Sequence, residues 1–395
     1  MNFQKISKEK NLLKNIINSI QRLNPKKKSF DLHSPLINKK DKLSVLNCLT
    51  STYISTYSHI TKKFERSIRN YTKAKFSIAT INATSAIQVS LKAVGVKKDN
   101  EVLMGDLNYI AAANTVLYLG AVPHFVDINL KNLFIDINKL EMYLKKNTFY
   151  KKNFFYNKKT GRKITAIIAT YIFGKGGDIS KLLRLAKKYN LKVIEDASEA
   201  LGSFYKKKHL GTFGDVGVIS FNGNKIISTG GGGVILTNKK DVHNKCYKLC
   251  TIGRNANHWQ YDYSEIGYNY RLPGLNASLG ISQLKKINSY IKKKKVIFNH
   301  YKKFFKTNDI QLFSNNKEFS DNNWLNAIFI KNSNLKLLKR LVVGANDKKI
   351  QIRPAWKLMH KIKYLNKFPK MKLVNSIIAE KSILTLPSGP DVFEK

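Results

Sequence analysis

Leu191-Lys-Val-Ile-Glu195-Asp196-Ala-Ser-Glu-Ala-Leu-Gly202 runs a short apolar strand into two consecutive acids and then small residues. An acid at the carboxyl end of a buried strand predicts an open α/β sheet with a cleft at that edge, because such sheets bind ligands outside the carboxyl ends of their strands. The same Glu-Asp pair also suits a helix N-cap, where a side-chain oxygen accepts from the first free backbone N–H groups. Outward from this stretch, short apolar runs at 102–104, 122–126, 165–170, 192–194, 216–221 and 233–236 alternate with helical segments such as 179–189. That alternation predicts a doubly wound, mostly parallel sheet between helices. Residues 1–40 read as a helical extension, with Ile6, Leu12, Leu13, Ile16, Ile17 and Ile20 at helical spacing and a loop through Pro25. The large domain spans 41–255. Residues 256–395 form a smaller α+β domain, with a long helix over 282–305 and further elements at 324–331 and 350–353.

The run at 216–221 ends in Ser220-Phe-Asn-Gly-Asn-Lys225, and the four glycines Gly230 to Gly233 follow almost at once. A lysine beside backbone that bends freely is what a Schiff-base cofactor needs. With 71 Lys+Arg in the chain, a solvent-facing lysine is the other reading. Paired with Asp196 the chemistry becomes specific: pyridoxal phosphate (PLP) takes a lysine on its aldehyde and a carboxylate on its pyridine nitrogen, which keeps the ring an electron sink.

Upstream, Ile78-Ala-Thr-Ile-Asn82-Ala-Thr84-Ser85-Ala86 turns from strand-like to small and hydroxyl residues and then to helical periodicity. Free N–H groups and hydroxyls at a helix start form a phosphate site, which makes Thr84 and Ser85 candidates. Plain capping by Asn82 or Thr84 is the alternative.

These pieces, in this order, resemble the DegT/DnrJ type of nucleotide-sugar aminotransferase, a branch of the fold type I PLP enzymes. The resemblance runs over nearly the whole chain. It takes in Glu101-Val-Leu through Tyr109, Leu119 to Asp127, Phe173-Gly174, Leu210-Gly-Thr-Phe-Gly-Asp215 and Gly267-Tyr-Asn-Tyr-Arg271-Leu. Ser220 to Lys225, Arg353-Pro-Ala-Trp356-Lys-Leu-Met-His360 and Leu386-Pro-Ser388 look most like the legionaminic-acid branch. The resemblance implies Lys225 as the covalent anchor and proton carrier, Asp196 on the ring nitrogen and Tyr109 stacked on the ring. Thr84, Ser85 and Ser220 would hold the phosphate, joined by Asn269 of a second copy in a homodimer with shared sites. Glu199 would lie near the cofactor, and Arg271 and Arg353 would contact the donor carboxylate or the sugar nucleotide. The implied reaction moves an amino group from L-glutamate to a keto group, at C4, of a UDP- or GDP-linked deoxysugar for surface-polysaccharide or nonulosonic-acid synthesis. The alternative is a dehydratase-like or regulatory protein of the same fold. Related dehydratases carry histidine at the lysine position, so Lys225 favours transfer. The chain departs from the family pattern at Ala83, Tyr171 and Ser58, and at Asp106, expected as a further acid beside the cofactor.

Composition narrows the class. At 395 residues and 43% hydrophobic the chain can bury a large core. Cys48, Cys246 and Cys250 are odd in number and show no metal-ligand pattern, so neither a disulfide framework nor a metal is expected. The first ten residues lack the apolar core of a signal peptide, and no run approaches the ~18 apolar residues of a membrane span. A cytoplasmic enzyme is expected. The net charge of +46 invites a nucleic-acid reading. Yet Lys26 to Lys28, Lys206 to Lys208 and Lys292 to Lys295 lie far apart. Such runs are solvated faces rather than a binding stripe, and no specific nucleic-acid partner is expected.

Overall fold

The computed structural model describes residues 3–255, 260, 262–305 and 309–394. Seven strands, β1 (Phe76–Thr80), β2 (Glu101–Gly105), β3 (Val122–Val126), β4 (Ile164–Thr170), β5 (Lys192–Asp196), β6 (Val216–Ser220) and β7 (Gly233–Thr237), make one sheet in the order β1-β7-β6-β5-β4-β2-β3. Strands β2 to β6 pair in parallel, and β7 runs antiparallel to both of its neighbours. Every residue of β2, β3, β6 and β7 is buried. These continuous apolar runs reflect helices on both faces of the sheet. The covering helices show the matching stripe: in Ile179–Lys188 the buried residues are Ile179, Leu182, Leu185 and Ala186, and Asp178 caps the first turn.

The N-terminal part contains helices α1 (Phe3–Gln21), α2 (Lys39–Thr50) and α3 (His59–Thr72), and α4 (Ala83–Ala93) follows β1. A second, antiparallel sheet lies near the C-terminus. Its strands β8 (Ile310–Leu312), β9 (Asn326–Ile330), β10 (Arg353–Pro354) and β11 (Ile383–Leu386) pair in the order β8-β9-β11-β10. The expected element at 350–353 is therefore only a two-residue edge strand. Pro354 has no N–H to give a further neighbour, which suits an edge.

The expected helix over 282–305 is two helices, Gly274–Leu284 and Ile287–Phe304. Ala277 and Leu284 of the first join the large-sheet core with Phe64 and Ile68 of α3, as do Ile287 and Tyr290 at the start of the second, whose later residues Ile297 and Tyr301 join a second core with Ile328, Leu384 and Leu386. At the break Lys286 pairs with buried Asp41. Ile16 and Ile20 of α1 also pack in the second core, so the first helix is held by C-terminal strands.

Candidate active site

Strands β4, β5 and β6 end side by side, at Thr170, Asp196 and Ser220. Their carboxyl ends open into a chamber of about 360 Å³ lined also by Asn82, Thr84, Asn108, Tyr109, Glu199, Asn222, Asn224, Lys225, Gly231, Gly232, Trp324 and Trp356. Lys225 enters from the loop joining β6 to β7. Its backbone N–H closes a turn onto the Asn222 carbonyl at 2.9 Å, with Phe221 buried as the anchor. The Nζ of Lys225 donates to Glu199 Oε1 at 3.1 Å and lies 3.9 Å from the centre of the Trp324 ring. Trp324 is itself fixed: its indole N–H donates to the Asn224 carbonyl at 2.7 Å, and the buried Lys294 Nζ donates to the Trp324 carbonyl at 2.9 Å. Burial lowers the Lys294 pKa well below its ordinary value.

Asp196 accepts from the Ser198 backbone N–H at 3.2 Å, and Glu199 Oε2 accepts from the Phe173 backbone N–H at 2.8 Å. Burial raises the carboxyl pKa of both acids. Hydrogen bonds at Ser198 and the Lys225 charge oppose it for Asp196, and Lys225 and the Phe173 N–H oppose it for Glu199. Two buried acids thus face one lysine in the chamber, and a cationic ring nitrogen beside Asp196 would favour its charged form.

At the other end of the chamber lies the start of α4. Asn82 caps this helix, its Oδ1 accepting from Ser85 N at 2.7 Å, and Thr84 lines the chamber. Gly233 lets that helix start approach the lysine loop, because a Cβ there would stand 2.6 Å from the Asn82 carbonyl carbon and the Ala83 nitrogen. A helix terminus that favours anions, with the Thr84 and Ser220 hydroxyls, and a buried acid in one chamber match the two polar groups of PLP, its phosphate and its ring nitrogen.

The structure therefore brings together Lys225, Asp196, Glu199, Thr84, Ser220 and Tyr109. It places four other candidates elsewhere. Ser85 is buried behind the helix start, and its N–H is taken by Asn82. Arg271 is buried and donates to Glu65 Oε1 at 2.7 Å, outside the chamber. Arg353 lines a neighbouring cavity. Asn269 is exposed and bridges Thr251, also outside the chamber of its own chain. Asp106 does not supply an acid to the chamber. It is fully buried and accepts from His360 N at 3.0 Å and from His360 Nδ1 at 2.7 Å, which fixes the segment that carries Trp356. Glu195, the other half of the Glu-Asp pair, points away from the chamber. It accepts from the Tyr171 hydroxyl at 2.5 Å and from the backbone N–H groups of Gly211, Phe213 and Gly214.

Trp324, Asn108, Thr170 and Asn224 went unnoticed in the sequence. Asn108 donates to the Thr170 hydroxyl at 2.8 Å and accepts from the Tyr109 N–H at 2.7 Å, which sets the approach of Tyr109. Trp324 comes from just before β9 of the second sheet, and no local pattern marks it.

Residues 35–395 match the model of the DegT/DnrJ/EryC1/StrS aminotransferase family. The chain is 32% identical over 351 residues to GDP-perosamine synthase of Escherichia coli O157:H7, covering 89% of this chain and 91% of that one. It is 31% identical over 337 residues to the putative pyridoxal phosphate-dependent aminotransferase EpsN of Bacillus subtilis, covering 84% and 83%. Among solved structures, Helicobacter pylori PseC, an aminotransferase involved in the biosynthesis of pseudoaminic acid, superposes with a TM-score of 0.80 at 25% identity, over 91% of this chain and 94% of that one.

Proposed function

The chain belongs to the DegT/DnrJ/EryC1/StrS aminotransferase family and is a PLP-dependent sugar aminotransferase, and from that premise we propose that it transfers the amino group of L-glutamate to the C4 keto group of a nucleotide-linked deoxysugar. The observation that carries this reading is Lys225 Nζ, held 3.1 Å from Glu199 in a chamber that Asp196 and the start of α4 also line. One relative is a GDP-perosamine synthase by name, so a GDP-linked acceptor stands beside a UDP-linked N-acetylated one. The motifs around Lys225, Trp356 and Ser388 favour the legionaminic-acid branch. The proposed place of work is the cytoplasm. Among the described residues no helix is long and apolar enough to cross a membrane.

When bound, PLP supplies an aldehyde that takes up nitrogen and a protonated ring that accepts the electron pair released at the substrate carbon. Asp196 is the residue that would face the ring nitrogen. Its burial strengthens the pairing, since little water competes there. Thr84, Ser220 and the first turn of α4 would receive the phosphate, and Tyr109 would cover the ring with Trp356 6.3 Å away behind it. Lys225 Nζ is the group that would lift a proton from the donor α-carbon and return one in the acceptor half of the reaction. Glu199 orients that amine, and Trp324 walls it from the second sheet.

The proposed assembly is a homodimer in which Asn269 completes the partner's site. Leu43, Leu46 and Leu49 of α2, with Tyr53, Ile54 and Tyr57 after it, are exposed, an unusual apolar surface for a free chain and one that a second copy would cover.

The test is the near-ultraviolet and visible spectrum of the protein with added PLP, before and after L-glutamate, beside Lys225→Ala. A lysine-dependent band that glutamate converts to the aminated cofactor is expected, followed by its return with a keto-sugar nucleotide. A wild type without the band would overturn the proposal.

A further inference from the structure

Behind Trp324 lies a second cavity of about 400 Å³, lined by Asp31, Leu32, His33, Ser34, Asn224, Trp324, Leu325, Gln351 and Arg353. It meets the cofactor chamber at Trp324 and Asn224, which line both. The Trp324 ring thus neighbours both Lys225, whose Nζ is 3.9 Å from its centre, and His33, whose ring centre is 6.5 Å away.

His33 is 8% exposed, and neither of its ring nitrogens has a hydrogen-bond partner among the described residues. A buried imidazole without partners is costly, so its presence in a built cavity calls for a ligand. The segment that carries it is firmly placed. Phe30 pairs through N–H and C=O with Lys349 and Gln351, the Leu32 carbonyl accepts from Ser388 N at 2.9 Å, and the Leu36 carbonyl accepts from Gln283 at 2.9 Å and Tyr290 at 3.2 Å. The strap is thus pinned before and after His33, and the ring faces the cavity without any rearrangement.

The chemistry of the wall narrows the ligand. Burial first, then Lys294 and Lys225, hold the imidazole pKa well below its ordinary value. The ring is therefore neutral and offers one N–H donor and one acceptor nitrogen. Asp31 and Arg353 put one charge of each sign in the same wall, and Leu32, Leu325 and the Trp324 ring supply apolar surface. The His33 ring, with one donor and one acceptor, suits a neutral substituent that carries both.

We infer that His33 recognises a neutral substituent of the acceptor sugar, a hydroxyl or an acylamino group, in this side cavity while the keto carbon faces Lys225 in the adjoining chamber. The inference rests on the acceptor reading given above. His33 would then fix which sugar is aminated, and it would take no part in uptake of the amino group from glutamate.

The experiment separates the two halves of the reaction in His33→Ala and His33→Gln. Each variant is loaded with PLP and mixed with L-glutamate, and the spectral conversion is timed. The aminated protein is then given either a GDP-linked 4-keto-6-deoxyhexose, which carries hydroxyls only, or a UDP-linked 4-keto-6-deoxy-N-acetylhexosamine. We expect glutamate conversion within twofold of wild type in both variants. In His33→Ala the KM for the preferred acceptor should rise roughly tenfold or more, as when a buried polar group loses its partner. His33→Gln, which keeps a donor and an acceptor, should recover part of that loss. Calorimetric titration of the same sugar nucleotides should show the same loss of affinity without turnover. The acceptor whose KM moves identifies the substituent. Acceptor KM values within twofold of wild type in His33→Ala, or an equal fall in the glutamate half-reaction, would overturn the assignment. A wild type that does not convert with glutamate sinks the donor reading alone, and titration with the two sugars then decides His33.

Discussion

Glu195 and Asp196 are adjacent in sequence, and the structure gives them opposite duties that a pair of isosteric substitutions separates. Four donors converge on the two oxygens of fully buried Glu195: the Tyr171 hydroxyl at 2.5 Å and the N–H groups of Gly211, Phe213 and Gly214 at 2.8, 2.6 and 2.6 Å. In Glu195→Gln the best orientation leaves the amide oxygen on Phe213 and Gly214 and turns the NH₂ toward Tyr171 and Gly211. Tyr171 can rotate and accept, but the Gly211 N–H then meets another donor. One orphaned backbone group at about 1–3 kcal/mol, plus the weaker grip of a neutral acceptor on the rest, gives a destabilisation of about 2–4 kcal/mol. Asp196 accepts one backbone hydrogen bond, at 3.2 Å, and burial disfavours its charge, so Asp196→Asn should change stability by less than about 1 kcal/mol. Its effect should fall on the cofactor: tighter burial of an unpaired ring charge, weak PLP binding and loss of most turnover. Urea unfolding of the cofactor-free proteins, followed by tryptophan fluorescence, measures the first effect without ligand stabilisation masking it. Glu195→Gln should shift the midpoint down by roughly half a molar or more. PLP titration and glutamate conversion measure the second. A Glu195→Gln protein as stable as wild type, or near-normal turnover in Asp196→Asn, would refute the division of labour.

Three further outcomes follow from other parts of the molecule. His209 is buried, accepts from Gly202 N at 2.8 Å and has its pKa pushed down to about 4 by burial. Since the folded value is depressed, its stabilisation is present above the unfolded value near 6.5 and is lost as pH falls toward 4. The loss is about 3 kcal/mol, and His209→Gln should flatten the stability profile in that window; an unchanged slope speaks against it. Gly233→Ala would push the start of α4 from the lysine loop, so PLP should bind at least tenfold more weakly in a fluorescence titration while circular dichroism stays native. Leu46→Asp on the exposed face of α2 should yield monomers by light scattering and abolish activity, and a fully active monomer would sink the shared-site proposal.

Much of the fold was legible because the strands are buried on both faces. Runs such as 122–126 and 216–221 have no polar alternative, and their order with intervening helical periodicity leaves a parallel sheet as the outcome. Less could be read near the C-terminus. The helix expected over 282–305 breaks at 285–286, where the helical pattern continues in sequence but Lys286 pairs with buried Asp41, far away in the chain.

The sequence by itself determined the sheet and the identity of the chemical groups. Asp196 and Ser220 end strands and Thr84 lies in the first turn of a helix, while Glu199 and Lys225 follow within a few residues in the loops after those strands. It could not separate Glu195 from Asp196, since alternation along a strand sends neighbours to opposite faces without saying which face holds the chamber. Nor could it free Arg271, whose charge is claimed by Glu65 from 206 positions away. Tertiary structure alone decided that Asp106 clasps His360, that Trp324 stands over Lys225, and that His33 waits behind it. Those contacts join residues scores to hundreds of positions apart, and only the packing of the second sheet against the carboxyl edge of the first brings them within reach.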